Sequence, residues 1–331
     1  TTEIYTLSLH DALPISLEHA DLVIEAAVEK LEVKRSLFAQ LEDRVRPNTI
    51  LATNTSALPV HEIARGLMHP GRVLGLHFFN PVHRMPLVEI VVPEGIAPEA
   101  REAALRFVGQ IGKLPLVVRD TPGFLVNRVL VPYLVEAAEA FERGATASAI
   151  DEVMLDFGFP MGPLRLVDEV GLDIALEVAE TLAKAYPDRM HVPPILDAMV
   201  GAGFLGKKTG RGFYNHRKGK TTVNLAAYEL RRVRKSHMPD MDRIRARMVF
   251  QLLDEAARCL EERVVHTAGE VDLGMVMGTG FPPFRGGPLR YIDQEGIYKV
   301  AREMNDAGIT PCALIQEMAA KHQKFYEADR E

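Results

Sequence analysis

A hydroxyl, an imidazole, a carboxylate and an amide are strung in order along this chain: Ser56, His77, Glu89 and Asn127. Ser56 ends Asn54-Thr55-Ser56, and His77 opens His77-Phe78-Phe79-Asn80-Pro81. Glu89 interrupts the apolar run Leu87-Val88-Glu89-Ile90-Val91-Val92, and Asn127 follows Pro122-Gly123 at the start of a helical pattern. A histidine at the carboxyl end of a buried strand can act as general base on an alcohol. A carboxylate inside an apolar strand needs a partner, because desolvating it alone is expensive. A His77–Glu89 pair meets that need, fixes the imidazole tautomer and stabilises the imidazolium. Such a set can deprotonate a hydroxyl and hold a carbonyl still, which is one half of a hydride-transfer site. A nicotinamide cofactor would be the other half. Each residue also has a plainer reading. His77 can be structural, and Glu89 can face water on an edge strand. Ser56 can cap the helix after it, and Asn127 can bond its own backbone.

Elements must hold these groups in place. Runs at 21–26, 50–53, 73–78, 87–92 and 114–118 read as strands. Apolar spacing reads as helix over 30–45, 60–67 and 98–111. Strands alternating with helices predict a mainly parallel sheet covered on both faces, the second half of a doubly wound nucleotide-binding domain. After Asp120 helical periodicity dominates, over 124–142, 148–155, 164–186 and 194–202. The fold class is therefore α/β plus all-α.

The helical part repeats itself. Arg128 through Glu136-Ala137-Ala138 matches Arg247 through Glu255-Ala256-Ala257. Phe159-Pro160 matches Phe281-Pro282, and Pro163-Leu164-Arg165 with Asp168 matches Pro288-Leu289-Arg290 with Asp293. Ala246 stands where the first copy has Asn127, so the second copy reads as structural. The expected domains are 17–119, 120–217 and 242–331, with 218–241 as a polar linker, and the two helical copies are expected to pack together.

Composition sets bounds. A chain of 331 residues, 47% hydrophobic and 25% charged, is of ordinary globular type. Its net charge of -6 and lack of a long basic block argue against nucleic acid. The short basic stretch Arg231 to Lys235 reads as a solvated helix face. Cys259 and Cys312, the only two cysteines, read as core thiols, which fits a reducing cytoplasm. No apolar run approaches the ~18 residues of a membrane span. Residues 1–16 lack the features of a signal peptide and resemble translated adaptor sequence. They are set aside, and the native chain is expected to resume near Leu17.

These motifs together resemble the L-3-hydroxyacyl-CoA dehydrogenase family. The matching text is Asn54-Thr55-Ser56, Gly75 to Pro81, Leu87-Val88-Glu89, Asp120 to Arg128, Phe159 to Pro163, Gly206 to Gly210 and Gly212-Phe213-Tyr214. The resemblance runs from about Leu17 to Glu331. It implies a truncated Rossmann-like domain followed by two related helical dehydrogenase domains. It implies that His77 is the base, paired with Glu89, and that Ser56 and Asn127 position a 3-hydroxyacyl-CoA substrate while NAD takes the hydride. It places Glu29, Lys34 and Asn54 on the ribose and nicotinamide side of that cofactor, with Lys207 or Lys208 as a further contact and Asn80 shaping the nearby loop. Gly280 to Pro288 resembles the C-terminal repeat of multifunctional fatty-acid β-oxidation enzymes of the alpha-subunit type. Those carry an enoyl-CoA hydratase domain upstream and work with a thiolase subunit. The alternatives are a stand-alone 3-hydroxybutyryl-CoA dehydrogenase and a non-catalytic acyl-CoA-binding fragment. One departure from the family concerns the cofactor. No Gly-x-Gly-x-x-Gly turn precedes Leu17, so NAD binding by this chain alone is expected to be weak or absent, and its activity with it, while the full-length parent is expected to bind NAD.

Overall fold

Short aliphatic runs form the strands of the first unit, as their spacing predicts. The computed structural model describes residues 15–217, 220–233 and 240–328; the segment set aside above therefore falls almost wholly outside it. The chain divides into two units, 1–124 and 125–331.

In the first unit, β1 (Leu22–Glu25), β2 (Ile50–Thr53), β3 (Val73–Phe78), β4 (Leu87–Val92) and β5 (Leu114–Arg119) form one sheet in that order. Helix α1 (Leu31–Glu42) follows β1, α2 (Val60–Ala64) follows β2, and α3 (Pro98–Gln110) follows β4. Three ladders are parallel and β3–β4 is antiparallel. Residues 79–86 are too few for the crossover that parallel strands need, so β4 turns back on β3. Ile50, Ala52, Leu74, Leu76, Val88 and Ile90 pack one sheet face against Ala100, Ala104 and Val108 of α3. That helix offers one residue per turn and starts on a proline, as the first helical position allows. The other face carries Gly75, His77, Glu89 and Val91. A Cβ on Gly75 would lie 2.7 Å from Val91 Cβ and 3.2 Å from a Val60 methyl. Glycine is thus what lets β4 and α2 close on this strand.

The second unit is helical, apart from one small ribbon. Its first copy comprises α4 (Val126–Glu142), α5 (Ala147–Phe157), α6 (Pro163–Val170), α7 (Leu172–Ala185) and α8 (Pro194–Gly201). The ribbon β6 (Tyr214–Arg217) and β7 (Lys220–Val223) and the short α9 (Leu225–Glu229) come next. The second copy comprises α10 (Met241–Glu261), α11 (Ala268–Thr279), α12 (Pro288–Glu295), α13 (Ile297–Asp306), α14 (Ala313–Lys321) and α15 (Phe325–Ala328). The single helix expected over 164–186 is two helices. Gly171 sits between them at φ +107°, which breaks the backbone ladder. Part of 218–241 is ordered against the first copy rather than free. Tyr228 Oη accepts from Ala147 N–H at 3.0 Å. Arg231 is not on a solvated face: it is 8% exposed, stacks over Phe141 and Tyr228, and donates to Ala145 O at 2.6 Å. Arg234 and Lys235 lie outside the described residues.

The two copies pack on each other through α4 and α10, and their charges pair reciprocally. Arg128 Nε lies 2.7 Å from Glu255 Oε1, and Arg247 Nε lies 2.8 Å from Glu136 Oε1. These are equivalent residues exchanging roles, the pattern of a self-complementary interface. The repeat also runs further than the sequence match. Asp151 accepts from Leu164 N–H, Arg165 N–H and Tyr214 O–H. Asp272 does the same with Leu289, Arg290 and Tyr326. Asp168 accepts from Phe213 and Tyr214, and Asp293 from Phe325 and Tyr326. The last helical turn of the described chain therefore stands in for Phe213-Tyr214.

Two predictions follow from this packing. Residues 120–217 expressed alone leave the apolar side of α4 uncovered, so size-exclusion with light scattering should show a dimer or aggregate; a clean stable monomer would contradict the interface. Both cysteines are buried. Burial pushes the Cys259 thiol up and the Cys312 thiol up to about 12. Thiolate is the reactive form, so Ellman's reagent at pH 8 should label neither in the native protein and both after unfolding.

Candidate active site

The antiparallel ladder makes His77 and Glu89 direct partners across β3 and β4. Side chains of facing residues lie on the same side of a sheet. Here His77 Nδ1 is 2.7 Å from Glu89 Oε2, with both side chains buried, 6% and 0% exposed. A carboxylate only accepts, so Nδ1 carries a proton, and in the neutral imidazole the lone pair then sits on Nε2. That is the tautomer a general base requires. The plainer reading of Glu89, a side chain facing water, does not hold. The rings of Phe79 and Phe124 contact the imidazole, with centroids at 4.5 and 5.6 Å.

Strands β1, β2 and β3 are parallel, so their carboxyl ends share the edge where open α/β sheets bind ligands. Asn54 follows β2, and its Oδ1 accepts from Phe78 N–H at 3.0 Å. Glu29, after β1, reaches across to the next loop. Its Oε1 accepts from the Thr55 hydroxyl, from Ser56 N–H at 2.8 Å and from Ala57 N–H at 3.3 Å. Ser56 is half-buried and lies three residues before the N-cap position of the following helix. The residue before that helix is Pro59, which cannot cap it. Asp120 does so from sixty residues away, accepting from Val60 N–H at 2.8 Å and His61 N–H at 2.7 Å.

Lys34 is 0% exposed. Its ammonium lies 2.8 and 3.0 Å from the two oxygens of Glu25, 3.4 Å from Glu29 Oε2 and 3.4 Å from Ala27 O. Thr53 O–H adds a bond to Glu25 at 2.7 Å, and Ala27 N–H adds another. A chain of polar groups thus runs from Thr53 through Glu25, Lys34 and Glu29 to the Ser56 loop. Sequence reading missed Glu25 and the capping role of Asp120. The signal for Glu25 was present: an acid closing the apolar run Leu22-Val23-Ile24. Asp120 had no local signal, because its partners are distant in sequence.

Asn80 is exposed beyond β3. Asn127 is half-buried in the first turn of α4, in the second unit. Lys207, also in the second unit, is exposed and pairs with Glu169 at 2.7 Å. Glu29 and Asn54 suit the hydroxyls and carboxamide at the ribose-nicotinamide end of a dinucleotide, and Lys34 supports Glu29. Among the described residues no glycine-rich turn lies on this edge. No group of side chains that could hold a metal ion occurs among them either.

Residues 4–121 match the family model for the NAD binding domain of 3-hydroxyacyl-CoA dehydrogenase, and residues 123–216 the model for its C-terminal domain. The fatty acid oxidation complex subunit alpha of Vibrio campbellii is 38% identical over 94% of this chain and 45% of that protein. The subunit of the same name from Acinetobacter baumannii is 42% identical over 93% of the chain and 45% of that protein. The chain thus spans about half the length of the curated relatives it matches. The solved 3-hydroxybutyryl-CoA dehydrogenase of Escherichia coli K12 is 30% identical, with a TM-score of 0.78, covering 96% of this chain and 84% of that one. A dinucleotide-type sheet bearing a His–Glu pair, followed by a helical unit, defines a dehydrogenase of the NAD-binding class. Within that class the chain belongs to the 3-hydroxyacyl-CoA dehydrogenase family.

Replacing Glu25 with Gln removes the nearer of the two carboxylates on the buried Lys34 ammonium and leaves Glu29 Oε2 at 3.4 Å, so the loss should sit at the low end for a buried pair. Removing one member of such a pair costs about 3 kcal/mol, so urea denaturation should show a loss of that order for Glu25→Gln, partly recovered in Glu25→Gln/Lys34→Met. A loss below about 0.5 kcal/mol, the range of exposed pairs, would contradict the network's structural weight.

Proposed function

We propose that this chain carries the catalytic residues for the NAD-dependent oxidation of (3S)-3-hydroxyacyl-CoA to 3-oxoacyl-CoA in fatty-acid β-oxidation, whether or not the chain by itself holds the cofactor. The observation that carries the reading is the buried 2.7 Å bond between His77 and Glu89. With Nδ1–H held by Glu89, His77 Nε2 accepts the proton of the substrate 3-hydroxyl. The Glu89 carboxylate stabilises the imidazolium that results. Bound NAD supplies the acceptor for the hydride leaving C3. Ser56 donates its hydroxyl to the substrate oxygen, and Asn127 positions the substrate carbonyl. Glu29 and Asn54 hold the ribose-nicotinamide end, Lys34 acts on it by fixing Glu29, and Asn80 and Lys207 are further contacts. The duplicated helical region and the likeness to alpha subunits support a β-oxidation protein that works with a second subunit, a thiolase by resemblance, in the cytoplasm. Among the described residues no helix is long and apolar enough to cross a membrane.

A second reading has one observation in its favour. The chain covers 84% of the Escherichia coli 3-hydroxybutyryl-CoA dehydrogenase, so a stand-alone enzyme for short acyl chains also fits. Comparing kcat/KM for acetoacetyl-CoA with that for a long-chain 3-oxoacyl-CoA separates the two.

The base assignment predicts that His77→Gln lowers the rate of NADH oxidation by acetoacetyl-CoA at least about a hundredfold, the low end of general acid–base contributions. Equal rates in parent and variant would remove His77 from the chemistry.

A further inference from the structure

Phe124 has a backbone conformation that bulky residues avoid. Its φ is +51°, directly after Gly123 at +75°. The left-handed region is unfavourable for an L-residue, and such outliers persist only where surrounding contacts hold them. The Phe124 side chain is fully buried, and its ring lies 5.6 Å from the His77 imidazole, tilted by 57°. Two hydrogen bonds fix the turn that carries it. Phe124 N–H donates to Thr121 O at 2.9 Å, and Gly123 N–H donates to Ala57 O at 3.4 Å. The second bond ties the turn to the loop that holds Ser56.

The imidazole needs such a wall. Rotation about χ2 of histidine is a broad torsion with weak intrinsic preference. The bond from Nδ1 to Glu89 sets the ring plane only within the angular spread that a hydrogen bond tolerates. Phe79, 4.5 Å away, is only half-buried. Phe124 is the buried wall. A glycine at 124 would relieve the backbone, so the strained position is kept by something the ring does. Filling core volume alone would be met by an aliphatic side chain.

We propose that Phe124 is a positioning residue: its ring, set by the left-handed turn at 121–124, holds the plane of the His77 imidazole so that Nε2 keeps its aim while Nδ1 stays on Glu89. This rests on the proposed role of His77 as base and adds the group that orients it.

The test uses the full chain with 15N-labelled histidine, and His77→Gln assigns the resonances. Phe124→Leu keeps apolar volume and loses the flat ring. Phe124→Gly loses the ring and relieves the backbone. In both, the His77 Nδ1–H proton should exchange with water at least about tenfold faster than in the parent, and kcat with acetoacetyl-CoA should fall about tenfold with KM changed less than about twofold, the pattern of lost orientation rather than lost binding. The Gly variant checks the result should the Leu variant not fold. Imidazole exchange and 15N shifts equal to the parent's in a folded variant would overturn the proposal. The base reading fails separately, if His77→Gln turns over like the parent while the exchange result stands.

Discussion

The antiparallel pairing of β3 with β4 is the constraint on which the site depends. It sets His77 opposite Glu89 in an otherwise apolar layer. A slip of one residue would turn every side chain of one strand to the other face. That would bury an unpaired carboxylate on one side and strand the histidine on the other. Three features hold the register: the short 79–86 link, the apolar packing against α3, and Gly75, whose missing side chain lets β4 and α2 approach. The polar pair and the apolar core therefore enforce one another. The core selects the register, and the register gives each buried polar group its partner.

A second network stands at the ends of β1 and β2. Two carboxylates, Glu25 and Glu29, share the ammonium of Lys34, and hydroxyls and backbone N–H groups donate to the oxygens of both. Buried polar networks of this kind are rigid when every member is satisfied and costly when one is missing. Rigidity suits the role proposed for the Asn54-Thr55-Ser56 loop, because a hydroxyl that positions a substrate is useful only when held still. Lys34 is buried and anchors the acids beside it, so any part it has in holding the cofactor is proposed to run through Glu29.

The helical unit shows what duplication retained. The second copy keeps the arginine and glutamate that pair across the interface, and the two aspartates that hold helix starts and a tyrosine. It has Ala246 in place of Asn127. Residues that satisfy buried charge and helix ends are kept in both copies, since losing any of them would leave unpaired groups in the core. The amide is kept in one copy, where the proposed chemistry uses it.

Much of this was legible in the residues themselves. Alternation of apolar runs located all five strands of the first unit to within a residue or two, and the interruption of one run by Glu89 pointed to its partner twelve positions away. Periodicity located the helices but ran α6 and α7 together, because a single glycine does not break an apolar pattern although its φ breaks the helix. The stretch Arg231 to Lys235 looked like a solvated face, since composition cannot show that Phe141 and Tyr228 offer rings to the Arg231 guanidinium. Local sequence determines which segments are apolar, where they turn, and which polar residues are out of place among them. Only the tertiary structure decided that Asp120 caps α2 and that Phe124 lies against His77, because each is a contact between segments far apart in the chain, and that Lys34 belongs to Glu25, because the packing of α1 on β1 sets it and no local pattern encodes it.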